Sequence, residues 1–329
     1  MRRGAVPAEP LEQIFREELA GPVLESALRV GNEIRARHGE GVVALLFYGS
    51  CLRCGSSEGV LDFYVITESY RGAYRSPLSA LLGAALPPNV HYIELPGADL
   101  RAKYALISLA DFARRATRAS LDCRVWSRFC QPARLVWVRD EAAREAVVSA
   151  VADAALTMAA RMLAWAPGDA RERALDVRSL WARAFQETYR AELRSEQPAS
   201  IDAIAAADPA RYEAVLRAAL GVLARRGELE LGPELLGEQE HAALRVAQDP
   251  RALAAARRAW RGRRLLAKAL AVAGLLKTAF TFDGWLAYVV WKIERHSGER
   301  IELSERQRRR PLLYAWPVIF RLLRSGALR

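Results

Sequence analysis

The sequence predicts an α+β fold, with a mixed β-sheet and flanking helices in its first 140 residues and a helical layer after it. Three observations carry this. Apolar runs of strand length alternate with helix-spaced segments as far as Arg139. From Glu141 to about Leu231 the pattern turns continuously helical and alanine-rich. The length of 329 residues, 52% apolar and 26% charged, is that of an ordinary globular chain of about two domains.

Apolar positions at Leu11, Ile14, Phe15, Leu19, Val23, Leu24, Leu28, Val30 and Ile34 have helical spacing and predict two helices ending near Gly39. Val42–Tyr48 (VVALLFY) predicts a first strand, with Gly49-Ser50 directly after it, and Val60–Thr67 (VLDFYVIT) a second. Residues 90–95, 104–109 and 135–139 predict three more strands, and 109–117 and 121–129 the helices between them. In the helical part Pro198 and Pro209 mark turns, with Ser200 and Asp208 expected as N-caps. Gly232-Pro233 then opens a polar bridge. The expected division is a sheet domain over 1–140, a helical domain over 141–235 and a basic, amphipathic C-terminal segment over 236–329.

Charge is unevenly placed. The net charge is +11, yet from Arg251 to Arg329 there are 18 basic and 5 acidic residues, against 31 and 33 before them. Such a one-sided field implies an anionic partner, a nucleic acid or an acidic membrane surface. The segment carries Arg257, Arg258, Arg261, Arg263 and Arg264, and then Trp285, Tyr288 and Trp291 on a helix that Asp283 would cap and Gly298 would end. Arg306 and Arg308 to Arg310 precede PLLYAWPVIFRLLRSGALR at the C-terminus. Basic clusters beside Trp, Tyr, Leu and Phe have the composition of an interfacial anchor on anionic lipid, and the large aliphatics favour lipid over nucleic acid. The alternative is that the tryptophans pack against the first, sheet-bearing domain and the arginines face water.

Other classes are set aside by what the sequence lacks. Four cysteines do not make a secreted disulfide scaffold in a chain this long. Cys51-x-x-Cys54 has redox or zinc spacing, but Cys123 and Cys130 do not complete a four-cysteine site, so buried or loop thiols are expected. His38, His91, His241 and His296 show no ligand spacing, and neither a Walker loop nor a dinucleotide fingerprint is present. The N-terminal MRRGAVPAEPLEQ has no apolar stretch to act as a signal peptide, and no run of ~20 uninterrupted apolar residues occurs. The expectation is a cytoplasmic protein, at most peripheral on the inner face of a membrane.

The chemistry-bearing feature is a strand feeding Gly49-Ser50, followed twelve residues later by Asp62 on a second strand. Glycine lets a phosphate approach the backbone closely, and amides at a helix start together with the Ser50 hydroxyl can hold phosphate oxygens. A carboxylate in the same crevice can hold Mg²⁺ against a triphosphate. Alone, the pattern is equally that of a tight turn beside a half-buried aspartate. It is the pattern of the nucleotidyltransferase superfamily, except that the position two after the aspartate, usually acidic there, is Tyr64.

FYGSCLRCGSSEGVLDFYV resembles the corresponding stretch of the mitochondrial-type phosphatidate cytidylyltransferases, the CDP-diacylglycerol synthases, in which that position is also not acidic. KYALIS from Lys103, WSRFCQP from Trp126 and YRAELR from Tyr189 are similar to further motifs of that family, in the same order. The departures are Cys51 in place of a usual glycine, and Ala191-Glu192 in place of Gly-Asp. The resemblance implies transfer of CMP from CTP to phosphatidic acid with Mg²⁺ as cofactor. It assigns Gly49 and Ser50 to the triphosphate, Asp62 to Mg²⁺, and Lys103 and Arg128 to anionic oxygens. Asp111 and Glu94 are the two candidates for a second metal-binding acid. Outside this context Lys103 and Arg128 read as solvated surface charges. Two other readings stay open: a nucleotidyltransferase with a different acceptor, and a non-catalytic lipid- or nucleic-acid-binding protein on the same scaffold. The oligomeric state is left open.

Overall fold

The computed structural model describes residues 8–74, 77–95, 97–166, 173–192, 198–231 and 244–281. The aromatic helix expected from Trp285, the cap at Asp283, the arginines from Arg306 onward, Gly232-Pro233 and Arg194 lie outside them.

Helices α1 (Glu9–Leu19) and α2 (Glu25–His38) lead into β1 (Val42–Tyr48), short α3 (Ser50–Cys54) and β2 (Val60–Thr67). Short α4 (Tyr70–Ala73) and α5 (Pro77–Ala85) precede the hairpin of β3 (Asn89–Leu95) and β4 (Leu100–Ser108). Then come α6 (Leu109–Ala116), α7 (Trp126–Phe129) and β5 (Ala133–Val138). These five strands form one mixed sheet in the order β3-β4-β2-β1-β5, with β2 and β4 parallel and the other neighbours antiparallel. The strands fall where the apolar runs predict them. The helix expected over 121–129 is only its last turn; the chain before it is irregular and built on Asp122, whose main-chain oxygen accepts from Trp126 Nε1 at 3.0 Å and from Ser120 Oγ at 2.8 Å.

The sheet is covered on both faces. On one, α2 packs over Leu45, Phe47, Phe63, Val65 and Leu106. On the other, α8 (Glu141–Trp165) lies over β1 and β5 and packs against α1, α6 and α7 as well. Asp140 caps α8 by accepting from the Ala143 amide at 2.8 Å. By length and composition α8 could cross a bilayer, yet it is mostly buried inside the protein, as expected of a core helix apolar all round. Its alanines let eight elements approach: around it sit α9 (Val177–Ala191), α11 (Pro209–Arg225) and α12 (Pro250–Thr281) besides the three helices and the strands β1 and β5 already named. The shorter α10 (Pro198–Ala206) packs on α9. Asp208 caps α11, as its sequence predicts, whereas α10 begins at Pro198 and so contains Ser200 instead of being capped by it.

One apolar cluster runs without a break from Leu11 through α8 to Ala267, so packing is continuous across the boundary expected at residue 140. Three short strands that the sequence reading passes over form a second sheet, β6 (Arg173–Leu175), β8 (Leu244–Ala247) and β7 (Glu230–Leu231), in that spatial order. The first part of the basic segment is helix α12, and Trp260 on it is buried 4.6 Å from the Trp165 ring and donates to Glu187 at 3.1 Å. For this tryptophan, packing against the rest of the chain is the outcome. The opposite side of α12 exposes Arg258, Arg261, Leu265 and Leu266.

Candidate functional site

Strand register builds the site. Tyr92 pairs with Lys103, Lys103 with Asp62, Asp62 with Tyr48, and Tyr48 with Ala133. Residues directly opposite share a face, so this row crosses the whole sheet on one side, the side that α6, α7 and α8 cover farther along the strands. Lys103 Nζ lies 3.1 Å from Asp62 Oδ1, with the two side chains 34% and 21% exposed. The pair stands at the edge of the covered region, open to a ligand.

Gly49 follows Tyr48 with φ +94° and ψ −163°, a conformation reserved for glycine. A Cβ there would stand 2.8 Å from Asp62 Oδ2 and 3.2 Å from its Cβ. The carboxylate therefore rests against the bare backbone of Gly49. Ser50 begins α3 and is exposed, and the first intrahelical bond runs from the Arg53 amide to the Gly49 carbonyl at 3.2 Å. Cys51 is buried and its Sγ donates to the Val60 carbonyl at 3.5 Å, which ties this turn to the start of β2. Gly49, Asp62 and Lys103 thus come together at one end of the sheet, with Ser50 following Gly49 in the chain.

The other expected residues do not join it. Asp111 sits in the first turn of α6, at the far ends of β2 and β4, where Ser108 Oγ accepts from its amide at 3.2 Å and the Tyr70 hydroxyl donates to Oδ2 at 2.7 Å. Five residues of β4 separate Lys103 from Ser108, roughly 17 Å at strand rise. Asp111 thus stands at the helix start, apart from Asp62 and Lys103, and is also paired with Arg114. Glu94 is on the same face as Lys103 but lies opposite Arg101, and it accepts from the Tyr92 hydroxyl at 2.7 Å. It is two strands removed from Asp62, with β4 between. Among the described residues no three His, Cys, Asp or Glu side chains gather as a metal cage. Among the described residues Asp62 is the carboxylate beside Gly49 and Lys103, and a carboxylate of this kind could serve as one ligand of a magnesium ion.

Arg128 is engaged by other groups of the protein. Its Nη2 lies 2.9 Å from Glu192 Oε2, and its Nη1 donates to the Arg124 carbonyl at 2.6 Å. Burial works against this guanidinium's charge, but Glu192 outweighs it and holds Arg128 firmly protonated. Ser127 Oγ donates to the same carboxylate at 2.9 Å. Two motifs far apart in the sequence, WSRFCQP and YRAELR, meet here. Tyr64, where a second acid would stand in the superfamily pattern, is buried between Phe112 and Phe129 with ring centroids at 6.2 and 4.9 Å. Burial raises its hydroxyl's pKa, against the pull of nearby Arg128 and Arg124. Sequence reasoning missed the Asp122 knot, where one buried carboxylate takes Arg115 at 2.7 Å and Arg124 at 2.8 Å; no motif announces it.

No protein-family model matches the chain. No curated protein matches it either. Among solved structures it is similar to a nucleotidyltransferase-like protein from Exiguobacterium sibiricum 255-15, with 12% identity, 91% of each chain covered and a TM-score of 0.24.

Proposed function

We propose that the Gly49–Asp62–Lys103 crevice binds a nucleoside triphosphate and that the protein transfers its nucleotidyl group to a phosphate acceptor. The pair implied by the motif series is CTP and phosphatidic acid, giving CDP-diacylglycerol and pyrophosphate. The observation that supports this is the Asp62 carboxylate, held between the bare backbone of Gly49 and the Lys103 ammonium.

In this reading an oxygen of the acceptor phosphate attacks the α-phosphorus. A new P–O bond forms, the bond to the bridging oxygen breaks, and pyrophosphate leaves with its electron pair. A phosphate monoester loses its second proton near pH 6, so no strong general base is required. Positioning and neutralisation of charge do most of the work. Gly49 gives the triphosphate room, the start of α3 and the Ser50 hydroxyl offer donors, and Lys103 is a cation within reach of the same oxygens. Asp62 would hold magnesium, which when bound neutralises and orients the phosphates.

The outer face of α12 supports work at an anionic membrane surface, on the cytoplasmic side. Leu265 is 69% and Leu266 40% exposed, beside Arg258 and Arg261. A second reading, a binding protein without catalysis, is favoured by the buried Tyr64. One assay separates them: purified protein with phosphatidic acid vesicles, Mg²⁺ and each of the four nucleoside triphosphates. Pyrophosphate release is expected with CTP. Vesicle binding without release from any triphosphate would leave the second reading.

A further inference from the structure

Three arginines from three elements converge on the turn over residues 117–120, between α6 and α7. Arg161, on α8, donates Nη2 to the Arg118 carbonyl at 3.1 Å. Arg263, on α12, donates to the Ser120 carbonyl two residues on. Arg118 itself turns its guanidinium to Glu228, with Nη2 3.1 Å from Oε1. Among the described residues Arg161 and Arg263 pair with no carboxylate, while Arg118 pairs with Glu228 and is also within electrostatic reach of Asp153, so the group holds three cations against two acids. Burial, and then the like charges of Arg263 and Arg118, push the Arg161 pKa down to about 10.

A guanidinium withdrawn from water among like charges is costly unless an anion accompanies it. The fork of N–H donors on arginine matches the oxygens of phosphate better than any other common anion except carboxylate. Among the described residues, one donor of Arg161 is used, by a backbone carbonyl. We propose that Arg118, Arg161 and Arg263 form a second anion site, which takes a phosphate-bearing ligand. None of the elements that build it supplies a residue to the Gly49–Asp62–Lys103 crevice, so it stands apart from the nucleotide reading. Leu265 and Leu266 follow Arg263 on the exposed side of α12, which puts a lipid headgroup alongside free phosphate as a source.

The test is carried out on the full chain with two probes. Inorganic phosphate is titrated by calorimetry, and vesicles containing phosphatidic acid are compared with vesicles of equal charge containing phosphatidylglycerol. Arg161→Gln and Arg263→Gln should each weaken phosphate binding at least tenfold. If the ligand is a headgroup, they should also abolish a preference for phosphatidic acid vesicles; if it is free phosphate, vesicle binding should be unchanged. Arg161→Lys, which keeps the charge and loses the fork, should give an intermediate loss and serves if the glutamine variant fails to fold. Variants indistinguishable from the parent with both probes would overturn the site, as would a parent that binds neither phosphate nor phosphatidic acid in preference.

Discussion

Under the proposed reaction, Asp62→Asn is expected to lower nucleotidyl transfer by at least about a hundredfold while the protein stays folded, since it removes the carboxylate that would hold the magnesium ion against the triphosphate. The salt bridge it gives up is partly exposed, and such pairs contribute about 1 kcal/mol or less. The thermal midpoint should therefore move by only a few degrees, and a steady-state pyrophosphate assay beside a melting curve separates the two effects. Gly49→Ala should lose activity for a different reason. Its Cβ would fall 2.8 Å from Asp62 Oδ2, forcing the carboxylate aside, and the backbone conformation would be strained by about 1–3 kcal/mol. Full activity in both variants would remove the crevice from the reaction.

Glu192→Ala should cost the protein about 3–5 kcal/mol, the effect of leaving a buried charge without its partner. Glu192 is 6% exposed, and the Arg128 guanidinium and the Ser127 hydroxyl both depend on it. Urea denaturation measures the loss. Replacing both members, Arg128→Met with Glu192→Leu, should recover most of it, because no charge is then stranded. If the single variant is as stable as the parent, Arg128 is not neutralised by Glu192, and its assignment to a substrate phosphate returns.

Much of the sheet could be read from the chain because its strands are continuous apolar runs, and a strand covered on both faces has that pattern. Gly49 was legible too, as a glycine directly after such a run. That Lys103 lies beside Asp62 follows from the parallel register of β2 and β4, which composition does not encode. The same register explains why Asp111 stands away from Asp62 and Lys103. A parallel β4 carries its helix to the far end of the sheet, so a residue eight positions from Lys103 is remote from it in space. Arg128 looked like a free cation because Glu192, its partner, is contributed by the end of α9. Helix α12 hid behind its arginines: the buried stripe of Leu253, Trp260 and Ala267 is narrow, and the charges between its members mask it. The strands β6, β7 and β8 are too short to show a period.

Helix α8 is at once the lid of the sheet and the axle of the helices beyond it. A fragment cut after β5 would bare the greasy side of its sheet to water and would be prone to clump. The two halves should accordingly melt together, and any recombination that borrows the Gly49–Asp62–Lys103 region for another protein has to bring the alanine-rich axle with it.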